Sequence, residues 1–161
     1  MTTQIKSTDP VLLEVKNLKK HFQVKNPGQT EQTVHALNNI SFTLREGESL
    51  GLVGESGCGK STAARTILRL IEPTSGEIFY RNQNLLALKQ NNLRSLRREM
   101  QIIFQDPFAS LNPRKQIGKI LEEPFDIHGF TDPTEKKEHV ASLLDRVGLS
   151  SDQAGKYPHE F

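Results

Sequence analysis

The sequence predicts an α/β fold, with an antiparallel β part near its N-terminal end and the start of a helical part toward its C-terminal end. Three observations carry this. The apolar run Ser49–Val53 leads into Gly54-Glu55-Ser56-Gly57-Cys58-Gly59-Lys60-Ser61, and Thr62–Leu70, free of Gly and Pro, follows. Apolar strand, glycine loop and helix in that order form one supersecondary unit. Short apolar segments separated by turn residues precede this unit. Helix-start and helix-stop signals follow Gln105.

The elements follow in order. Val11–Val15 and His21–Val24 read as two strands, and Asn26–Thr33, with Pro27-Gly28, as a polar turn or hairpin loop. Val34–Leu44 reads as a further strand, and Arg45-Glu46-Gly47-Glu48 turns the chain into the buried strand expected over Ser49–Val53. In the next helix Ile67, Leu68 and Ile71 are expected to share a face, with Glu72-Pro73-Thr74-Ser75-Gly76 stopping it, because Pro cannot continue a helix and Gly frees the turn. Glu77–Arg81 reads as a short strand, Lys89–Glu99 as a charged exposed helix, and Met100–Phe104 as an apolar strand. Ile117–Glu123 reads as helical. Asp132-Pro133-Thr134-Glu135 is a helix start, with Asp as N-cap, Pro in the first turn and Glu three residues after the cap. Val140, Leu143, Leu144 and Val147 then repeat at helical spacing up to Gly148. The expected division is a β/α part over 1–105 and a helical part over 106–161.

The glycine loop has a specific chemistry. It matches the spacing G-x-x-x-x-G-K-[ST] in full. Gly54, Gly57 and Gly59 allow a tight bend and close approach of the backbone to phosphate oxygens. The N–H groups of Ser56, Cys58 and their neighbours then form an anion nest. Lys60 supplies a point charge for the β- and γ-phosphates, the Ser61 hydroxyl a ligand for Mg²⁺, and Thr62 a contact to the α-phosphate. The implied ligand is a nucleoside triphosphate with its magnesium.

Bulk properties narrow the field. A length of 161 residues suits one domain, and a net charge of +2 is too small to argue for nucleic acid as a partner. No apolar run reaches the roughly 18 residues of a membrane span. Met1–Pro10 is polar, without the apolar centre of a secretion signal, and a single cysteine excludes an internal disulfide. A cytosolic location is the default expectation. The five histidines show no metal-ligand spacing. Arg94, Arg97 and Arg98 are expected on a solvated helix face.

After the loop comes Ile102-Ile103-Phe104-Gln105-Asp106-Pro107, then Phe108-Ala109-Ser110-Leu111-Asn112-Pro113-Arg114, and the chain closes on Lys156-Tyr157-Pro158-His159-Glu160-Phe161. With the loop, these segments resemble the nucleotide-binding subunits of ABC transporters, in detail the F-type subunit of oligopeptide and dipeptide importers. The resemblance covers Leu12 to Phe161 and implies a phosphate-loop ABC ATPase core. It implies that Gln105 reaches Mg²⁺ and the attacking water, a role that suits an amide because it both donates and accepts. It implies that Phe22, where the family more often has Tyr, stacks on adenine. It implies ATP and Mg²⁺ as cofactors and a second ABC ATPase subunit as partner. Permease subunits would meet the region around Phe108–Arg114, and a peptide-binding protein would be an indirect partner. The location would be the inner face of the plasma membrane.

The family pattern also has parts that these residues do not supply. The signature Ser-Gly-Gly-Gln, the later apolar strand ending in Asp and Glu, and a downstream His are not found, and neither Asp106 nor Glu122-Glu123 stands where the carboxylate would. The expectation is an N-terminal fragment of an ABC ATPase, unable to hydrolyse ATP alone and marginal as an isolated polypeptide. A nickel or glutathione importer subunit, a small nucleotide kinase and a non-enzymatic nucleotide-binding remnant remain as alternatives. The transported substrate is not encoded here, because the family's binding protein and permease choose it.

Overall fold

A computed structural model describes residues 9–25, 30–106 and 110–161. The chain divides into two compact units, Met1–Gln101 and Ile102–Phe161.

The first unit is organised by a four-stranded antiparallel sheet in the order β2-β1-β3-β4, formed by β1 (Val11–Val24), β2 (Gln32–Arg45), β3 (Ser75–Tyr80) and β4 (Gln83–Asn84). β1 is central: Val15 lies opposite Phe42 on one side and Ile78 on the other. The two strands expected over Val11–Val15 and His21–Val24 are therefore one. The intervening Asn17-Leu18-Lys19-Lys20 does not end the strand; it is carried through by bulges on either side of Leu18. Asn17 takes a positive φ of 49°, and its N–H donates to Ser41 Oγ at 2.8 Å. This irregularity turns Leu18 fully inward. The hairpin turn expected around Pro27-Gly28 falls on residues outside those described.

The core of this unit joins Val15, Leu18, Leu37, Ile78, Tyr80 and Leu85 with Ala63 of helix α1 (Lys60–Ile67). Helix α2 (Gln90–Leu96) buries Leu93. The Tyr80 hydroxyl donates to Glu99 at 3.3 Å, and burial, with Glu99 nearby, raises its pKa above the ordinary tyrosine value against the opposing pull of Arg81.

α1 stops earlier than Pro73 requires. Arg69 adopts φ 51°, its N–H donates to Thr66 O at 2.9 Å, and the Leu70 N–H donates to Arg65 O at 2.8 Å. That is a Schellman closure with arginine in the left-handed position. Ala63 and Thr66 are the residues the helix buries, Ile67 packs beside them, and Ile71 lies beyond the helix. The strain at Arg69 is offset by its side chain. Nη1 donates to the Leu85 and Leu88 carbonyls at 2.9 and 2.8 Å, and Nε pairs with Glu72 at 2.9 Å.

Two expected strands do not form. Ser49–Val53 and Met100–Phe104 are outside any ladder, and Val53 and Ile103 are 95% and 96% exposed. An apolar run becomes a strand only when other strands satisfy its N–H and C=O groups. Among the described residues none pairs with either segment.

The second unit contains α3 (Ile117–Ile127) and α4 (Pro133–Arg146), followed by short 3₁₀ turns at Ser151–Gly155 and Pro158–Glu160. α3 runs past Glu123 and tolerates Pro124 within it. Asp132 caps α4 as expected: its carboxylate accepts from the N–H groups of Thr134 at 2.7 Å and Glu135 at 3.2 Å. Val140 and Leu144 are buried, whereas Leu143 and Val147 are exposed. Gly129 and Gly148, at φ 83° and 76°, close the two helices with the same bond pattern that Arg69 makes. Gly118 is buried against Ala154; a Cβ there would stand 3.0 Å from the Ala154 carbonyl oxygen.

Candidate functional site

The glycine loop leaves the exposed segment Leu50–Val53 and ends where α1 begins. Its end is anchored by Gly59, which caps the helix in a left-handed conformation, φ 98°, against strand β2. A Cβ at Gly59 would lie 2.3 Å from the Ala36 carbonyl oxygen, so only glycine permits this approach. Gly54 has a different role: a Cβ there would stand 2.5 Å from Cys58 Sγ. Gly57, at φ 82°, faces open space. One side of the loop is thus seated on the sheet and the other is accessible.

Lys60 is the first residue of α1, and its ammonium folds back over the loop. Nζ donates to the carbonyls of Gly54 and Glu55, each at 2.6 Å, and lies 3.5 Å from Cys58 Sγ. A positive charge therefore sits inside the bend, beside the N-terminus of a helix whose first N–H groups have no intrahelical partner. Ser56 and Cys58 are exposed within the loop; Ser61 is exposed and Thr62 half-buried in the first helical turn. These residues fit a phosphate chain with its magnesium. The fixed ammonium supplies charge and the open face at Gly57 room, as anion binding at a helix start requires, while the Cys58 N–H donates to the Glu55 carbonyl at 3.3 Å.

Phe22 lies half-buried on β1 opposite Val34, with the Lys20 ammonium 4.8 Å from its ring centroid. That cation covers part of the π-surface expected to meet adenine. Gln105 is exposed at a bend in the second unit. Of the string Phe108–Arg114, residues 108 and 109 fall outside those described. Glu122 and Glu123 are engaged by Lys119 and Lys115. The Glu122 hydrogen bond raises the pKa of the Lys119 ammonium above its usual value.

One cluster was missed by reading along the sequence. His21 and His35, 14 positions apart, are cross-strand partners, with His21 Nε2 and His35 Nδ1 3.1 Å from one another. Burial first, then His35 and Lys19, lowers the pKa of His21 below the ordinary imidazole value. The signal that finds the pair is the hairpin register, which depends on a bulge between Lys20 and His21.

A strand-lined glycine bend with a lysine-led helix defines a phosphate-loop fold. The chain belongs to the ABC transporter family, whose pattern it matches over residues 37–161. It is 48% identical over 154 residues to the oligopeptide transport ATP-binding protein AppF of Bacillus subtilis, covering 93% of this chain and 46% of that protein. It is 44% identical over 162 residues to the dipeptide transport ATP-binding protein DppF of Haemophilus influenzae, covering 100% of this chain and 49% of that protein. Similarity extends to the glutathione import ATP-binding protein GsiA of Escherichia coli O157:H7, at 46% identity over 95% of this chain and 25% of that protein. The chain spans about half the length of the first two relatives. Among solved structures, the ATP-binding cassette MJ0796, in a dimeric post-hydrolysis state bound to ADP and Pi, aligns with a TM-score of 0.75 and 27% identity over 93% of this chain and 63% of that one.

Proposed function

We propose that this chain is part of the ATP-binding subunit of an ABC importer for di- or oligopeptides. The observation that carries the reading is the loop: Lys60 Nζ is held 2.6 Å from two carbonyls at a bend whose other face is open. The peptide class comes from AppF and DppF, which are oligopeptide and dipeptide transport ATP-binding proteins. The glutathione relative keeps a second substrate reading in view.

Gly54, Ser56, Gly57, Cys58 and Gly59 would offer backbone to the phosphates, and Lys60 would exchange its loop carbonyls for phosphate oxygens. Ionised phosphate oxygens bind an ammonium more strongly than the neutral carbonyls they replace. Ser61 and Gln105 would hold Mg²⁺, Thr62 would meet the α-phosphate, and Phe22 would stack on adenine. Magnesium, when bound, neutralises charge between the β- and γ-phosphates. Gln105 would orient water. Residues 1–105 would form the nucleotide-binding part and 106–161 the part that meets the permease. The wider assembly would comprise a second ABC ATPase subunit, the permease subunits and a peptide-binding protein. Its location would be the cytoplasmic side of the membrane; among the described residues no helix is long and apolar enough to cross one.

The apolar strand ending in Asp and Glu that the family pattern carries is not found among these residues, so binding without turnover is the expected behaviour of these residues alone. Fluorescent-nucleotide titration with Mg²⁺ tests binding, and phosphate release tests turnover. Saturable binding with negligible release is expected. Absence of binding by folded protein would overturn the nucleotide reading, and sustained release would overturn the prediction of no turnover.

A further inference from the structure

We propose that the cross-strand pair His21–His35 is a two-imidazole site for Zn²⁺ on the β1–β2 hairpin, independent of the phosphate loop. The pairing places His21 Nε2 and His35 Nδ1 3.1 Å apart, with ring centroids 4.1 Å apart and planes inclined by 61°. Two nitrogens bound to one tetrahedral zinc at 2.0–2.1 Å stand about 3.3 Å from each other. The spacing already matches. In the metal-free pair one ring must donate to the other. Binding requires both lone pairs to aim at a common point, a turn about the broad χ2 torsion of histidine.

The surroundings define what the site can take. His35 is exposed and His21 half-buried, so water can complete the coordination. Backbone constraint is already in place: the two residues are register partners, and the His21 N–H donates to Thr74 Oγ1 at 2.9 Å. Less of the ordering cost therefore falls on the metal. Imidazole nitrogens suit zinc and copper, whereas Mg²⁺ requires oxygen donors. Besides His35, Lys19 is the charge that acts on His21, and it opposes a bound cation. A bound ion would cross-link β1 to β2 across the irregular part of their register.

The test is Zn²⁺ titration of the full chain by calorimetry at neutral pH, with imidazole resonances followed by NMR. One saturable site is expected, with the His21 and His35 ring signals shifting together. His21→Ala and His35→Ala should each weaken binding at least tenfold, while His159→Ala leaves it unchanged. Mg²⁺ should produce no shift, and affinity should fall as pH drops below the imidazole range. Circular dichroism of both hairpin variants checks that they keep the fold. No saturable binding, or wild-type affinity in either hairpin variant, would overturn the site.

Discussion

The β1–β2 hairpin and the segment Ser49–Val53 are both rich in apolar residues and lie in the same unit, yet only the hairpin is strand. β1 has partners on both sides, and Leu18 within it is fully buried. Leu50, Leu52 and Val53 are exposed to 49%, 54% and 95%. The difference teaches that an apolar run states a demand for neighbours without saying whether they exist. Strand formation is a property of the ladder, since each backbone group must find a partner.

The comparison can be broken by mutation, and the largest effect belongs to a glycine on the paired side. A Cβ at Gly76, where φ is 107°, would stand 2.6 Å from Leu18 Cα and 2.7 Å from the Asn17 carbonyl oxygen. Gly76→Ala should cost about 3 kcal/mol or more, from left-handed strain plus a backbone clash that cannot relax locally. Urea unfolding measures it, and an unchanged midpoint would contradict the packing of β3 on β1.

Leu18→Ala and Val53→Ala sharpen the contrast with one chemistry, truncation to alanine. Leu18 is 0% exposed, so truncation should cost about 2–5 kcal/mol. Val53→Ala should stay within about 0.5 kcal/mol, as surface changes do. Equal losses at the two sites would mean that Ser49–Val53 is packed after all.

Arg69→Ala comes next, at about 2–3 kcal/mol. The substitution leaves a non-glycine residue at φ 51° and removes the donors to the Leu85 and Leu88 carbonyls. Arg69→Gly separates the two contributions by relieving the strain alone, and it should be less harmful than alanine. The reverse order would contradict this reading of the helix end.

The smallest effect is a pH slope. His21 has its folded pKa lowered, so the folded state binds fewer protons than the unfolded chain. Its stabilising contribution is present above the unfolded imidazole range near about 6.5 and is lost as pH falls through the lower folded value. Unfolding midpoints should therefore decline modestly with acidification, and His35→Ala should flatten the slope by removing the nearest like charge.

Local signals were legible where a residue's own chemistry decides the outcome. Asp132 caps α4, Gly148 closes it, and the glycine spacing of the loop produces a bend with Lys60 folded into it. What depended on distant partners was not legible. The bulges that merge two expected strands into β1, the arginine that ends α1 and the meeting of His21 with His35 all follow from pairing across the sheet.

The central claim is that the bend over Gly54–Ser61 holds a magnesium-bound triphosphate through Lys60. Parallel titrations of wild type and Lys60→Ala with fluorescent ATP and Mg²⁺, on protein verified as folded, test it most directly. The account predicts saturable binding by wild type and a loss of roughly 10- to 150-fold in the variant, the equivalent of about 1.5–3 kcal/mol for one charge-assisted hydrogen bond. Equal affinities, or no binding by either protein, would contradict it.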